Sequence, residues 1–320
     1  MLINMATKQR RRFGIAEWYG RSFLRLSAQE RRRLALLQVT KNPQRKSIAC
    51  PFRSSSLLTV PCTKEGGVCS IRLYEETESG AQPVAGAIGD LRTLCPNRFQ
   101  QESMVYQWVS EVVLGAKKSS VIGEIGFLER YKTDEDSDKK ADVGRIDNVL
   151  LIPGSEPLLW CALEVQAVYF SGKGMPGEFK HLAEFKGRKL PFPAITRRPD
   201  YRSSGPKRLM PQLQTKVPTL RRWGKKMAVV VDRSFFNALG RMENVGDISN
   251  CDIAWFVVGF DEKTEPAKLV RDSVCFTTLE RAVEGLTGGL PVTLDEFERR
   301  IIEKAAKLSS RSSPKPDLVQ

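Results

Sequence analysis

A mixed α/β fold, a β-sheet flanked by helices and preceded by a loop-rich stretch with four cysteines, is what this sequence predicts. The leading observation is a pair of apolar runs, Gly144-Arg145-Ile146-Asp147-Asn148-Val149-Leu150-Leu151 and Cys161-Ala162-Leu163-Glu164-Val165-Gln166-Ala167-Val168. Each reads as a mostly buried strand interrupted by acidic groups. Two more buried strands follow, at 227–233 (MAVVVDR) and 251–260 (CDIAWFVVGF). Helical segments stand before, between and after them, an order that suits a mixed sheet covered by helices.

The elements follow in chain order. Residues 14–40 read as helix in two pieces; Ser27 caps the second, and Glu30 completes a capping box. Residues 43–100 hold short apolar stretches, many Gly, Ser and Pro, and Cys50, Cys62, Cys69 and Cys95. Residues 102–115 fit a helix closed by Gly115. A strand at 121–128 and an acidic loop through Asp142 lead into the two acidic strands. The segment from Phe170 to Pro211 is loop-like, rich in Gly, Pro and basic residues. A helix over 211–224, the two buried strands, a short strand and helix over 274–286, and an amphipathic helix over 293–308 complete the order. The tail from Ser309 reads as disordered. There is no internal repeat. The predicted organisation is a basic leader (1–13), a helical and four-cysteine module (14–101), a sheet core (102–308) and a tail (309–320).

Charge points to a polyanionic partner. The net charge is +14 and the isoelectric point about 9.6. Residues 1–50 carry 12 lysines and arginines against only Glu17 and Glu30. A second excess runs from Lys173 to Arg208, with ten basic residues against Glu178, Glu184 and Asp200. Such stripes bind nucleic acid by releasing counterions. Arg197, Arg198, Arg202, Lys207 and Arg208 are the candidate contacts, since arginine's fork suits phosphates and guanine edges. No run of about 18 apolar residues predicts a membrane span. The basic N-terminus lacks the apolar segment of a secretory signal, so an intracellular protein is expected, with cysteines acting as ligands, core fillers or thiols rather than disulfides. The single histidine, His181, argues against histidine-metal nucleases and histidine-based triads.

Carboxylates inside apolar strands are costly unless paired or bound to a cation. Glu164 and Gln166, at i and i+2, share a face. Asp147 on a neighbouring strand would bring two carboxylates and an amide to one spot. That is a divalent-metal site suited to phosphodiester hydrolysis, with magnesium ligated by Asp147, Glu164 and the carbonyl of Val165, and Gln166 orienting the attacking water. Glu124 and Glu111 are weaker supplementary ligands. The four cysteines are separated by 11, 6 and 25 residues, with no CxxC knuckle. Their segment has too few large apolar residues for its own core, so a tetrahedral four-thiolate ion, iron or zinc, would order it. Cys161, Cys251 and Cys275 read as small core residues.

The pattern of Asp147 with Glu164-Val165-Gln166 resembles the PD-(D/E)xK nuclease fold, with the final lysine replaced by glutamine. A four-cysteine module ahead of such a core is similar to the NotI-type rare-cutting restriction endonucleases, an impression carried by the strings IDNVLL and ALEVQAVYFSG. The resemblance covers roughly residues 15–305. It implies a homodimeric type II restriction endonuclease in a prokaryotic cytoplasm, cutting a GC-rich palindrome of double-stranded DNA with magnesium. It also implies a structural iron in the cysteine module, and Asp147, Glu164 and Gln166 as catalytic residues. Water attacking in line would leave 5′-phosphate and 3′-hydroxyl ends, and a cognate DNA methyltransferase would protect the host. Gln166 departs from the pattern, since it brings no positive charge to the attacking water. A non-catalytic, metal-stabilised DNA-binding or regulatory protein and a structure-selective repair nuclease are the competing readings.

Overall fold

The computed structural model describes residues 10–129, 142–172, 174–288 and 292–311. Residues 1–9 of the expected leader, 130–141 of the acidic loop and 312–320 of the expected tail lie outside the described residues. Arg11–Phe13 of that leader are strand and residues 309–311 of that tail are helix, which corrects those two bounds. The described residues up to Thr287 form one compact unit and those from Gly288 onward a second.

Strands β1 (Arg11–Trp18) and β2 (Arg21–Ser22) open the first unit, followed by helix α1 (Ala28–Val39). Then come β3 (Val68–Thr77), β4 (Gly80–Pro83) and β5 (Arg92–Thr93), which join β1 and β2 in an antiparallel sheet. Two expectations are corrected here. Residues 14–18 are strand, not helix, because β1 pairs with β3 along most of its length, from Arg11↔Glu75 to Trp18↔Val68. Distant pairing has overridden local propensity. The cysteine-bearing stretch also has a core after all, in which Ile15, Trp18, Phe23, Leu34, Val68 and Ile71 pack with Phe179 and Leu182. The capping box holds: Ser27 Oγ accepts from the Glu30 N–H, and Glu30 accepts from the Ser27 N–H.

Helix α2 (Met104–Leu114) ends on Gly115 in the left-handed region (φ 65°), the conformation that favours glycine. Strands β6 (Ser120–Glu129), β7 (Asp142–Leu151) and β8 (Trp160–Val165) follow, then a small pair β9 (Phe170–Gly172) and β10 (Arg197–Pro199) bracketing helix α3 (Met175–Glu184). The stretch expected to be a loop therefore contains, besides helical turns from Tyr201 onward, a helix of ten residues. Gly174 is its N-cap and Pro176 lies in its first turn, so the supposed breakers are start signals.

A short turn α4 (Tyr201–Ser204) leads into α5 (Met210–Arg222). Strand β11 (Met227–Asp232), helix α6 (Arg233–Ala238), strands β12 (Ile253–Asp261) and β13 (Lys268–Thr277) and helix α7 (Leu279–Thr287) complete the unit. Strand β13 begins six residues before the expected start at 274, as it pairs with the whole of β12. Helix α8 (Leu294–Arg311) belongs to the second unit and is laced by Glu296 pairs to Arg299 and Arg300.

The larger sheet runs β13-β12-β11-β8-β7-β6. Strand β8 is parallel to β11 and antiparallel to β7. Its side chains alternate between two cores. Cys161 and Leu163 pack on the α2 side with Val105, Trp108 and Val109. Ala162 packs on the α5 side with Leu209, Leu213, Val217 and Leu220. Burying each of these large side chains contributes roughly 1.5–3 kcal/mol, which fixes β8 and α5 against each other. Asp232 joins the two sheets: its carboxylate accepts from the Thr93 N–H at 2.7 Å and caps α6 at Phe235, 2.8 Å away. Among the described residues no helix is long and apolar enough to cross a membrane.

Candidate active site

Glu164 shares the strand face of Ala162 and so points toward α5. The β7–β8 ladder ends with Asn148 opposite Leu163. One further step of the same register sets Asp147 beside Glu164, close enough for its charge to act on the Glu164 carboxyl. The Glu164 side chain is buried, while that of Asp147 is 55% exposed. Both line a cleft of about 220 Å³ with Lys64, Val165, Gln166, Tyr169 and Gln212.

The sequence reading missed the cation of this site. Lys216, buried on α5, donates to Glu164 Oε2 at 2.7 Å and lies 3.6 Å from Asp147 Oδ1. It sits three residues after Leu213 and four before Leu220, within the buried stripe of the helix. A lysine at a core position was the available signal, because an ammonium is buried only against a partner. Burial pushes the Glu164 carboxyl up to about 7; Lys216 opposes that rise and Asp147 adds to it. A carboxyl raised by burial and set against a specific charge partner in a cleft marks a candidate functional site.

Val165 borders this cleft and a second one that also contains Asp147, Tyr106 and Gln100. Gln166 lines the first cleft, with its amide NH₂ donating to the Ala167 carbonyl at 2.6 Å. Its backbone N–H continues the β11 ladder by donating to Val230. Glu124 stands next to Asp147 in the sheet, because Gly123↔Asn148 and Ile125↔Ile146 flank it. It adopts φ 52°, rare for a non-glycine residue, and its exposed carboxylate lies 3.4 Å from Arg145. Glu111 is elsewhere, paired with Arg271 at 2.6 Å, which holds its carboxyl below the usual range.

The basic segment divides. Arg197 is buried and paired with Glu178 at 3.4 Å, so its charge is spent inside the protein. Arg198, Arg202, Lys207 and Arg208 are exposed. Arg208 lies over the ring of Tyr169, 3.9 Å from its centroid, on the rim of the cleft. His181 lines a different cavity with Arg10, Arg12 and Phe192.

Cys50, Cys69 and Cys62 pack in one cluster around Phe52. Cys95 joins them, its N–H donating to the Cys69 carbonyl at 3.1 Å. Burial raises the thiols of Cys62, Cys69 and Cys95 above the ordinary value. Among the described residues, however, no group of three or more His, Cys, Asp or Glu side chains is set to hold a metal ion. A preformed four-thiolate site is therefore not what the fold presents. Cys161 and Cys251 are buried and Cys275 half-buried in the sheet region, as expected.

The family model for restriction endonuclease NotI matches residues 34–270. The match takes in the four cysteines, both carboxylates and Lys216. No curated protein matches the chain. The chain belongs to the NotI restriction endonuclease family and is a type II site-specific deoxyribonuclease.

Proposed function

We propose that this protein hydrolyses phosphodiesters of double-stranded DNA at a GC-rich palindrome, in a magnesium-dependent reaction centred on Asp147, Glu164 and Lys216. The observation that carries the reading is the pairing of two carboxylates with a buried ammonium at the end of a central strand, open to a cleft. The donors suit the metal. Asp147 faces solvent, and Glu164 and the Val165 carbonyl add oxygens on the same cleft, as a hard cation prefers. When bound, magnesium supplies charge neutralisation at the phosphate and a lowered pKa for the attacking water.

The chain's own residues supply the rest. Lys216 provides the positive charge that Gln166 does not, arriving from a helix rather than from the strand motif. Its ammonium favours the ionised form of Glu164 against the effect of burial and can donate a hydrogen bond to the attacking water or to a non-bridging phosphate oxygen. Gln166, Tyr169 and Gln212 line the cleft and set the position of the DNA strand. Water attacks phosphorus in line, and the 3′-oxygen leaves with a proton, giving 5′-phosphate and 3′-hydroxyl ends. Exposed Arg198, Arg202, Lys207 and Arg208 contact the duplex around the cleft.

A palindromic site is read by a homodimer whose two-fold matches that of the DNA, and a cognate methyltransferase protects the host's own sites. The four cysteines suit a thiophilic ion, iron or zinc, by donor chemistry. Closing on such an ion would draw the four sulfurs to one point from their present packing. The test is cleavage of a fully sequenced, unmethylated DNA with and without magnesium. Discrete fragments with 5′-phosphates, appearing only with magnesium, are expected. Tight binding without nicking, or a smear, would contradict the proposal.

A further inference from the structure

The cysteine cluster and the catalytic cleft share a wall. Lys64, on the turn between Cys62 and Cys69, lines the cleft that contains Asp147, Glu164 and Gln166. So do Leu94 and Pro96, the two residues flanking Cys95. Chain segments carrying three of the four clustered cysteines thus form the rim over the carboxylates.

The turn that carries Lys64 is rigid. The Gly67 N–H donates to the Lys64 carbonyl at 3.0 Å, and the Tyr19 N–H donates to the Gly67 carbonyl at 2.8 Å. The Trp18 indole N–H donates to the Gly66 carbonyl at 2.8 Å. Gly66 and Gly67 both have positive φ, 75° and 68°. A Cβ on Gly67 would fall 2.2 Å from the Tyr19 ring, and one on Gly66 would fall 2.8 Å from Phe179. Bulk is excluded on the inner side of the turn, while Lys64 stands on the side that meets the cleft.

Lys64 is half-buried, and no ion pair or hydrogen bond holds its ammonium among the described residues. The buried cations of the molecule, by contrast, are engaged. Lys216 is taken by Glu164 and Asp147, Arg197 by Glu178, and Arg98 by Glu17. A half-buried ammonium without an ion pair, on the wall of the cleft that holds both carboxylates, is an anion site by charge, and the anion that enters this cleft is a phosphate of the DNA backbone.

We infer that the turn between Cys62 and Cys69 forms one wall of the catalytic cleft, and that Lys64 holds a non-bridging oxygen of a DNA phosphate next to the cleavage point. The inference rests on the placement of the reaction at Asp147 and Glu164. It gives the cysteine cluster a part in cleavage, since whatever orders the sulfurs also sets the height of Lys64 over the carboxylates.

The test compares the full-length protein with Lys64→Met, which keeps the stem and removes the charge, and with Lys64→Arg, which restores the charge. Binding to a duplex that the wild type cuts is measured against salt with calcium in place of magnesium, and single-turnover cleavage is measured with magnesium at saturating protein. For Lys64→Met the slope of log K against log salt should fall by about 0.9, one phosphate contact, and the rate by about tenfold or more. Lys64→Arg should recover the slope and part of the rate. An unchanged slope and rate in Lys64→Met would overturn the inference. So would a lost slope with an unchanged rate, which would place the phosphate away from the cleavage point. If Lys64→Met melts below the wild type, Lys64→Gln is read by the same two measurements. Should the wild type cut no DNA, the reaction proposed above fails; the salt slope on a duplex that the wild type binds still reads Lys64 separately.

Discussion

Two of the buried ionic clusters among the described residues are built on opposite plans. In the first, Arg98 is fully enclosed. Its guanidinium donates to both Glu17 oxygens at 2.8 and 3.1 Å, to Gln101 Oε1 at 2.8 Å and to the Ala267 carbonyl at 2.5 Å. Ser70 donates to the same Glu17 carboxylate, and the rings of Phe52 and Phe260 lie against the guanidinium. In the second, a lysine meets two carboxylates of which one is buried and the other opens to a cleft. Arginine's planar fork fills a closed network with fixed geometry; lysine's point charge tolerates exchange of partners. The closed cluster ties the two sheets together, and the open one retains unfilled bonding capacity that a metal and a phosphate can take up.

Breaking the two clusters should therefore have different consequences. Glu164→Ala should abolish cleavage, by three orders of magnitude or more, while leaving binding to the uncut site near the wild-type value. Because Asp147 still faces the Lys216 ammonium, the substitution should lower the melting temperature less than loss of a closed-cluster residue. Gel-based cleavage beside a binding titration and a thermal melt reads all three. Arg98→Met should do the reverse. Leaving Glu17 buried without its partner costs about 3–5 kcal/mol, visible as a lower urea midpoint, and whatever protein stays folded should cut normally.

A smaller effect sharpens the contrast through pH. Asp232, fully enclosed between the sheets, has its carboxyl pushed from 3.8 up to about 6 by burial, against the opposing pull of its Thr93 and Phe235 hydrogen bonds. With the folded value above the unfolded one, the folded state holds the extra proton between those pH values. The contribution of Asp232 to stability is thus fully present below about 3.8 and is lost as pH rises through about 6. Asp232→Asn should flatten that part of the stability profile relative to the wild type, as read by urea midpoints between pH 4 and 7. The smallest expected effect is at the rim: Arg208→Ala should weaken duplex binding a few-fold and leave the saturated rate unchanged.

Much of the catalytic end of the sheet was legible from period-2 alternation, because an acid in an apolar strand has few places to go. Asp147 and Glu164 come together one step beyond the last paired residues of β7 and β8, as the strand reading required. Lys216 is not legible from the strand motif, whose position two residues along from Glu164 holds the uncharged Gln166; the cation arrives instead from a helix some fifty residues later. The N-terminal half was harder. Strand β1 finds its partner only at Val68–Thr77, and pairing over that distance leaves little local trace. The cysteines clustered as the spacing allowed, but their packing as thiols depends on a core shared with β1 and α3, which their own segment does not encode.

The most direct test of the open cluster is to remove its cation and return it from the other element. Single-turnover cleavage of a wild-type substrate should fall about a hundredfold in Lys216→Met and recover in part in Lys216→Met/Gln166→Lys, where the strand supplies the ammonium. Wild-type cleavage by Lys216→Met would contradict the assignment of Asp147, Glu164 and Lys216 as the catalytic centre.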